Sequence, residues 1–226
     1  MKLLRTFAIA LVALTATAAQ ADEWIDTGTA DSFMNFGARI GFNTSNATTG
    51  LEGAAANLDS WGTGFDLGVV ANLNFMQCLS VQPGFFFESR SHNYSYVTRP
   101  GTVLEANTHE YGHTRNTQFK VPVMAVFTMD PVENVRWSID FGPVFNFGIG
   151  GSDKGTYEVA DQLRSYKDGY YDQRAKFDLG LKMGTGLTVL EHYYLGLHYE
   201  AGTCHVWKGH KGGHNKSWQF TLGYNF

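Results

Sequence analysis

No stretch of this 226-residue chain is apolar for long enough to cross a membrane as a helix. A helical span takes roughly 20 residues, and the run Phe7 to Leu14 stops well short of that. Positive charge is also scarce. With Lys2 and Arg5 set aside as part of a leader, 15 basic residues face 21 acidic ones. A chain so balanced carries no basic face of the kind that grips nucleic acid. Cysteine is limited to Cys78 and Cys204. Neither lies near the start of the mature chain, which excludes a lipid-anchored N-terminus.

What is present points to export and to strands. Lys2 and Arg5 precede Phe7 to Leu14, and Ala19-Gln20-Ala21 is a small-residue cleavage site. Residues 1–21 are therefore predicted to be a removed signal peptide, leaving 22–226 as one domain. Aromatic content is 15% and there are 26 glycines, while mean hydropathy is only −0.21. A low average is what strands give when one face is apolar and the other polar.

Period-two alternation recurs eight times. The segments are Phe33 to Asn43, Trp61 to Asn74, Cys78 to about Ser89, Arg115 to Met129, Val135 to Gly148, Gln173 to Val189, Tyr193 to Gly202 and Trp218 to Phe226. In the last, Trp218, Phe220, Leu222, Tyr224 and Phe226 share one face and Gln219, Thr221, Gly223 and Asn225 the other. Pro83 removes a ladder donor, so a bulge is expected there.

The connections after segments one, three, five and seven are long and polar. Those after two, four and six are short, including Asp130 to Asn134 and Leu190 to His192. A soluble sandwich has no reason to place every long loop at one end. The reading is an all-β, eight-stranded antiparallel transmembrane β-barrel with long extracellular loops, short periplasmic turns and both ends in the periplasm. That topology puts Cys78 and Cys204 at opposite ends of the barrel, roughly 25 Å apart, so no disulfide is expected.

The polar face carries Arg39, Asp66, Glu88, Lys120, Arg136, Asp140, Asp178, Lys182, His198 and Glu200. Ionisable groups at membrane depth invite a proton or ion path. Mixed sign in so narrow a barrel favours a salt-bridged filling. His205, His210 and His214 beside Cys204, and His92, His109 and His113 in a second loop, are metal-type residues. Their spacing fixes no geometry, and neither a metal nor a cofactor is expected. Asp153, Glu158 and Asp161 read as solvated loop charge. For catalysis, His198 and Glu200 share a face without a serine beside them, and Ser91-His92 has no assigned acid.

Lys120-Val121-Pro122-Val123-Met124-Ala125, Asp140-Phe141-Gly142-Pro143-Val144, Phe177-Asp178-Leu179-Gly180 with Gly184-Thr185-Gly186, Tyr199-Glu200-Ala201-Gly202 and Leu222-Gly223-Tyr224-Asn225-Phe226 resemble, in order, segments of the outer membrane protein β-barrel domain family. That family includes the PorT-like porin-family proteins of Bacteroidetes. The resemblance supplies no catalytic residues. It implies that the barrel-assembly machinery reads the terminal aromatic strand during insertion.

The expectation is a monomeric, non-enzymatic protein of the cell outer membrane with a side-chain-filled lumen. Its loops would contact lipopolysaccharide, another protein or a host surface, with outer-membrane lipid around the wall and no nucleic acid. The alternatives are a lipid-modifying outer-membrane enzyme and a narrow channel.

Overall fold

Alternation of apolar and polar residues drives the chain into strands that close on themselves, because an open sheet edge in lipid leaves backbone groups unpaired. The computed structural model describes residues 24–47, 54–57, 60–98, 108–159, 162–172, 174–205 and 214–226. The expected leader, 1–21, lies outside them. Among the described residues ten strands form one sheet: β1 (Met34–Ala47), β2 (Ala54–Asn57), β3 (Ser60–Asn74), β4 (Leu79–Thr98), β5 (Thr108–Val132), β6 (Val135–Val159), β7 (Gln162–Gly169), β8 (Phe177–Val189), β9 (Tyr193–Gly202) and β10 (Asn215–Asn225). Eight of them make an antiparallel ring in the order β1, β3, β4, β5, β6, β8, β9, β10, with β10 pairing back to β1.

The register gives the barrel its dimensions. Stepping across the ladders from Met34 to Leu73, Val81, Ala125, Phe141, Met183, Tyr199 and Trp218 returns to β1 at Thr44, ten residues from the start. A slip of ten residues at about 3.3 Å, set against eight spacings of about 4.8 Å, tilts the strands about 40° and gives a backbone radius of about 8 Å. Long side chains from opposite walls can meet across such an interior.

The outer wall is apolar. Ile40, Leu67, Phe85, Ile139, Met183 and Leu197 are all exposed. In β6 the apolar face runs from Trp137 to Phe147, which at this tilt is about 25 Å tall, the height of a bilayer's apolar band. Phe42, Phe65, Phe87, Phe119, Phe147, Phe177 and Trp218 are exposed around its outer edge. Many are direct ladder neighbours, such as Phe87 with Phe119 and Phe119 with Phe147. They form an aromatic girdle.

The structure departs from the sequence expectation in several places. The "loops" after the third and fifth membrane segments are largely strand: β4 runs on to Thr98, β5 begins at Thr108, and β6 continues to Val159 before turning into β7. Together with β2 these strands raise a sheet above the girdle. There the outer face is wet and the inner face is packed with polar and tyrosine side chains, so the apolar alternation that betrays a membrane strand is lost while the ladder continues.

No bulge forms at Pro83, which pairs in register with Val123, and Gly84 with Val70. The β3–β4 ladder instead skips the pairs opposite Gln82 and Pro83, and Gln82 Nε2 donates to Asn72 Oδ1 at 2.5 Å across the gap. The turn after β5 is Glu133 and Asn134 alone, with Asn134 at φ 62°; Asp130 to Val132 belong to β5. Cys78, just before β4, and Cys204, just past β9, are free.

Candidate functional site

In the outer half of the lumen four charges meet. Glu88 and Arg90 come from β4, Lys120 from β5 and Glu200 from β9. In the ring β4 and β9 stand four strands apart, on opposite walls. Lys120 Nζ lies 2.9 Å from Glu88 Oε1 and 2.7 Å from Glu200 Oε2, and Arg90 lies 2.8 Å from each carboxylate, through Nε to Glu88 and Nη2 to Glu200. Two cations and two anions alternate and cancel.

Amides occupy the remaining carboxylate lone pairs. Gln118 donates to Glu88 at 2.7 Å, Gln219 to Glu88 at 3.0 Å and Asn146 to Glu200 at 3.0 Å. Asn43 Nδ2 adds a contact of 3.3 Å to Glu88. All four charged side chains are at most 5% exposed. Buried charge holds only when paired and hydrogen-bonded in this way.

Below the charges one wall turns apolar. Val70, Phe86, Met124, Val126 and Val144 are buried on β3 to β6, and Pro122 joins them. The facing wall is polar. His198 Nε2 lies 3.1 Å from Asp140 and 3.2 Å from the Tyr194 hydroxyl. The Arg39 guanidinium sits 4.3 Å from the Tyr194 ring centre and donates to Asn225 Oδ1 at 2.7 Å. Lys182 and Asp66 are buried without a salt bridge to any described residue. A cavity of about 330 Å³ opens at the short-turn end, bounded by Asn35, Gln82, Ser138 and Tyr194 among others.

The outer mouth is covered. The segment after β7 folds inward and buries Tyr170, Tyr171 and Arg174. Arg174 pairs with Asp153 at 2.7 Å and stacks 4.5 Å over the Tyr170 ring, while Asn116 Nδ2 donates to the Tyr171 hydroxyl at 3.2 Å. His92 sits beneath this cap, with Nδ1 2.9 Å from Thr114 Oγ1 and its ring edge-on to Tyr170. Burial, with the Arg174 charge nearby, lowers the His92 pKa to about 4, and burial raises that of Tyr170 to about 12.

Higher in the sheet, Tyr94, Gly112, Gly155 and Tyr166 form one row across four strands. The two tyrosines lie over the two glycines, where any Cβ would strike their rings, and their hydroxyls meet at 2.5 Å. Tyr94 also donates to Asp153 at 2.7 Å and Tyr166 to Glu110 at 2.5 Å. Burial raises both phenol pKa values.

All ten residues expected to face inward turn toward the interior, with Asp178 at its outer rim and Arg136 at its short-turn rim, where it lines the lower cavity. Arg136 is 43% exposed and pairs with Asp130 at 3.4 Å on the short-turn rim. It sits at the first turn of β6, below the packed zone. Asp178 is half-buried and accepts from Asn215 Nδ2 at 2.9 Å and Cys204 N at 3.3 Å.

Sequence reasoning missed Arg90, Asn43 and Arg174; Gln118, Asn146 and Gln219 fall on the polar faces of their strands, but their role as partners of the buried carboxylates was not legible. Arg90 lies two residues past Glu88, so carrying the alternation one step further finds it. Arg174 comes from an irregular segment and leaves no such signal; β8 begins only at Phe177, not Gln173.

Of the metal candidates, His210 lies outside the described residues, and the His205 and His214 rings are 5.4 Å apart. Among the described residues no three His, Cys, Asp or Glu side chains converge as a metal site requires. His92, His109 and His113 belong to strands rather than to a loop, His92 inward and the other two exposed. Asp153 is inward and paired, Glu158 is on β6, and Asp161 lies outside the described residues.

Among the described residues two serine or threonine hydroxyls contact a histidine and so bear on catalysis. Thr114 with His92 is fully buried. Ser95 Oγ lies 3.2 Å from His109 Nε2 near the top of the sheet, with Glu158 opposite His109 in the ladder and not hydrogen-bonded to it.

The family model described as "Outer membrane protein beta-barrel domain" matches residues 18–202. No curated protein sequence matches the chain. Solved structures that resemble it include Ail, the attachment invasion locus protein of Yersinia pestis, at 16% identity and TM-score 0.42, covering 86% of this chain and 100% of that one. Neisserial surface protein A matches at 11% and 0.43, covering 84% and 97%. The outer membrane protease OmpT of Escherichia coli matches at 11% and 0.30, covering 85% and 96%.

Proposed function

Since the chain belongs to the outer membrane protein β-barrel domain family and lies in the cell outer membrane, we propose that it is a non-enzymatic, non-conducting envelope protein that acts by binding through the sheet it raises above that membrane. The observation that carries this reading is the charge quartet. Arg90 and Glu200 meet from opposite walls, Lys120 bridges both carboxylates, and apolar side chains fill the wall beneath. An ion crossing the lumen would have to part these buried pairs, at a cost of several kcal/mol per uncompensated charge. What remains for interaction is the extracellular sheet, which no membrane anchor requires to be so long. Pure protein in planar lipid bilayers is expected to give no conductance steps. Sustained steps would overturn the closed lumen and favour the channel.

A lipid-modifying enzyme is the second reading, favoured by Ser95 and His109. Height argues against it. Ser95 lies eight residues beyond Phe87 of the girdle, about 20 Å above it at this tilt, whereas lipid ester bonds sit near girdle level. Mass spectra of lipopolysaccharide from cells carrying the protein or its Ser95→Ala variant are expected to match those of cells lacking it. An acyl change that needs Ser95 would establish the enzyme.

A further inference from the structure

The face of the extracellular sheet that continues the lipid-facing wall carries a groove of about 630 Å³. Its floor is bare backbone at Gly112 and Gly155. The row on its membrane side is Asn93, His113, Lys154 and Lys167; the row above includes the exposed Tyr111 and Ser165. Lys154 and Lys167 are directly opposite each other on neighbouring strands. Like charges so placed repel, and neither lysine makes an ion pair with a described residue. Among the described residues no carboxylate pairs with either lysine to offset that repulsion, whereas an anion lying between the two would.

Height and direction define the ligand. The lysine row is level with His113, six residues beyond Phe119 of the girdle, or about 15 Å above it. A bilayer headgroup layer reaches only some 5 to 8 Å above the hydrocarbon. The phosphates of ordinary phospholipids therefore stay below the groove. The groove also opens sideways over the membrane, because Asn93 and His113 continue the parity of Phe87 and Phe119, and the one-residue register shift in β6 after Gly148 brings Lys154 onto the same face. An occupant that rises from the same leaflet and carries negative charge fits the lysine pair, while the Asn93 amide and Ser165 hydroxyl can hydrogen-bond to hydroxyl groups and the exposed Tyr111 ring can pack against a sugar face.

We propose that this groove binds the phosphorylated core sugars of lipopolysaccharide, with Lys154 and Lys167 clamping a phosphate and Tyr111 packing against a sugar ring. The site rests on the reading of the raised sheet as the binding surface.

The test uses the full chain in detergent, titrated with purified lipopolysaccharide of phosphorylated core, with the soluble core oligosaccharide cut from it, and with that oligosaccharide after removal of phosphate. The first two are expected to bind, and phosphate removal to weaken binding about tenfold or more. The Lys154→Glu, Lys167→Glu pair is expected to lose about a hundredfold and the Lys154→Gln, Lys167→Gln pair about tenfold. Both variants should keep the gel shift between unboiled and boiled samples that marks a closed barrel. Equal binding by the dephosphorylated sugar, or wild-type affinity in the Glu pair, would overturn the proposal. So would binding of dextran sulfate with none of the core oligosaccharide, because the ligand would then not come from the membrane. Lost binding with no conductance removes this site and leaves the closed lumen standing; conductance with intact binding does the reverse.

Discussion

Glu88 is fully buried and contacts Arg90, Lys120, Gln118, Asn43 and Gln219. Glu88→Gln leaves two cations facing one carboxylate in a dry interior, and is expected to cost about 3 to 5 kcal/mol. It is read from the urea midpoint for unfolding out of lipid vesicles. The double variant Glu88→Gln, Lys120→Met restores neutrality and should recover most of the loss.

His92 gives a pH dependence of known sign. Its neighbours are Thr114, Tyr170, Arg174, Asp153 and His113. The unfolded chain takes up this proton near pH 6.5, the folded one only near 4. Between those values the unfolded state holds more protons, so stability falls as pH drops below 6.5, by on the order of 3 kcal/mol at pH 4. His92→Gln should flatten that part of the profile relative to wild type; parallel profiles would show that His92 does not carry it.

At the level of elements, the membrane segments were legible because lipid on one side and a packed lumen on the other force a period of two. Val135 and Tyr193 to Gly202 begin and end where the pattern places them. Above the girdle that constraint is gone, and His92 to Thr98 and Gly150 to Val159 read as polar loop although the ladder holds them. The lumen charges were legible for the same reason, up to the point where the outer face stopped being apolar; Arg90 lies just beyond it.

The turn between β8 and β9 was legible in position but not in geometry. Leu190 at φ 53° and Glu191 at φ 65° both occupy the left-handed region, with His192 N donating to Val189 O at 3.3 Å. That is a type I′ turn built from residues that disfavour it. The double substitution Leu190→Asn, Glu191→Gly is therefore expected to raise stability by about 1 kcal/mol. A lowered urea midpoint would mean that the leucine and glutamate side chains hold the rim more than their backbones strain it.

For the molecule as a whole, barrel and raised sheet are separable in physical terms. The circuit that sets the ten-residue slip runs entirely through the membrane segments and uses no residue of β7 or of β6 beyond Phe141. The charge quartet likewise draws on β4, β5 and β9 alone. Within the sheet, Asp153 pairs with Asp168 across the β6–β7 ladder, and both the Tyr94 and Arg174 contacts end on Asp153.

Replacing residues 154–167 by an asparagine-glycine dipeptide therefore closes the hairpin just above the cap, keeps Asp153 and its partners, and removes Lys154, Tyr166 and Lys167 together. The shortened chain is expected to insert, to show the boiled-versus-unboiled gel shift and to remain non-conducting, while losing affinity for phosphorylated core oligosaccharide to the level of the charge-reversed pair. If the barrel instead fails to close, the raised sheet takes part in closing the barrel, and the division between a sealed membrane body and a separate binding sheet is wrong.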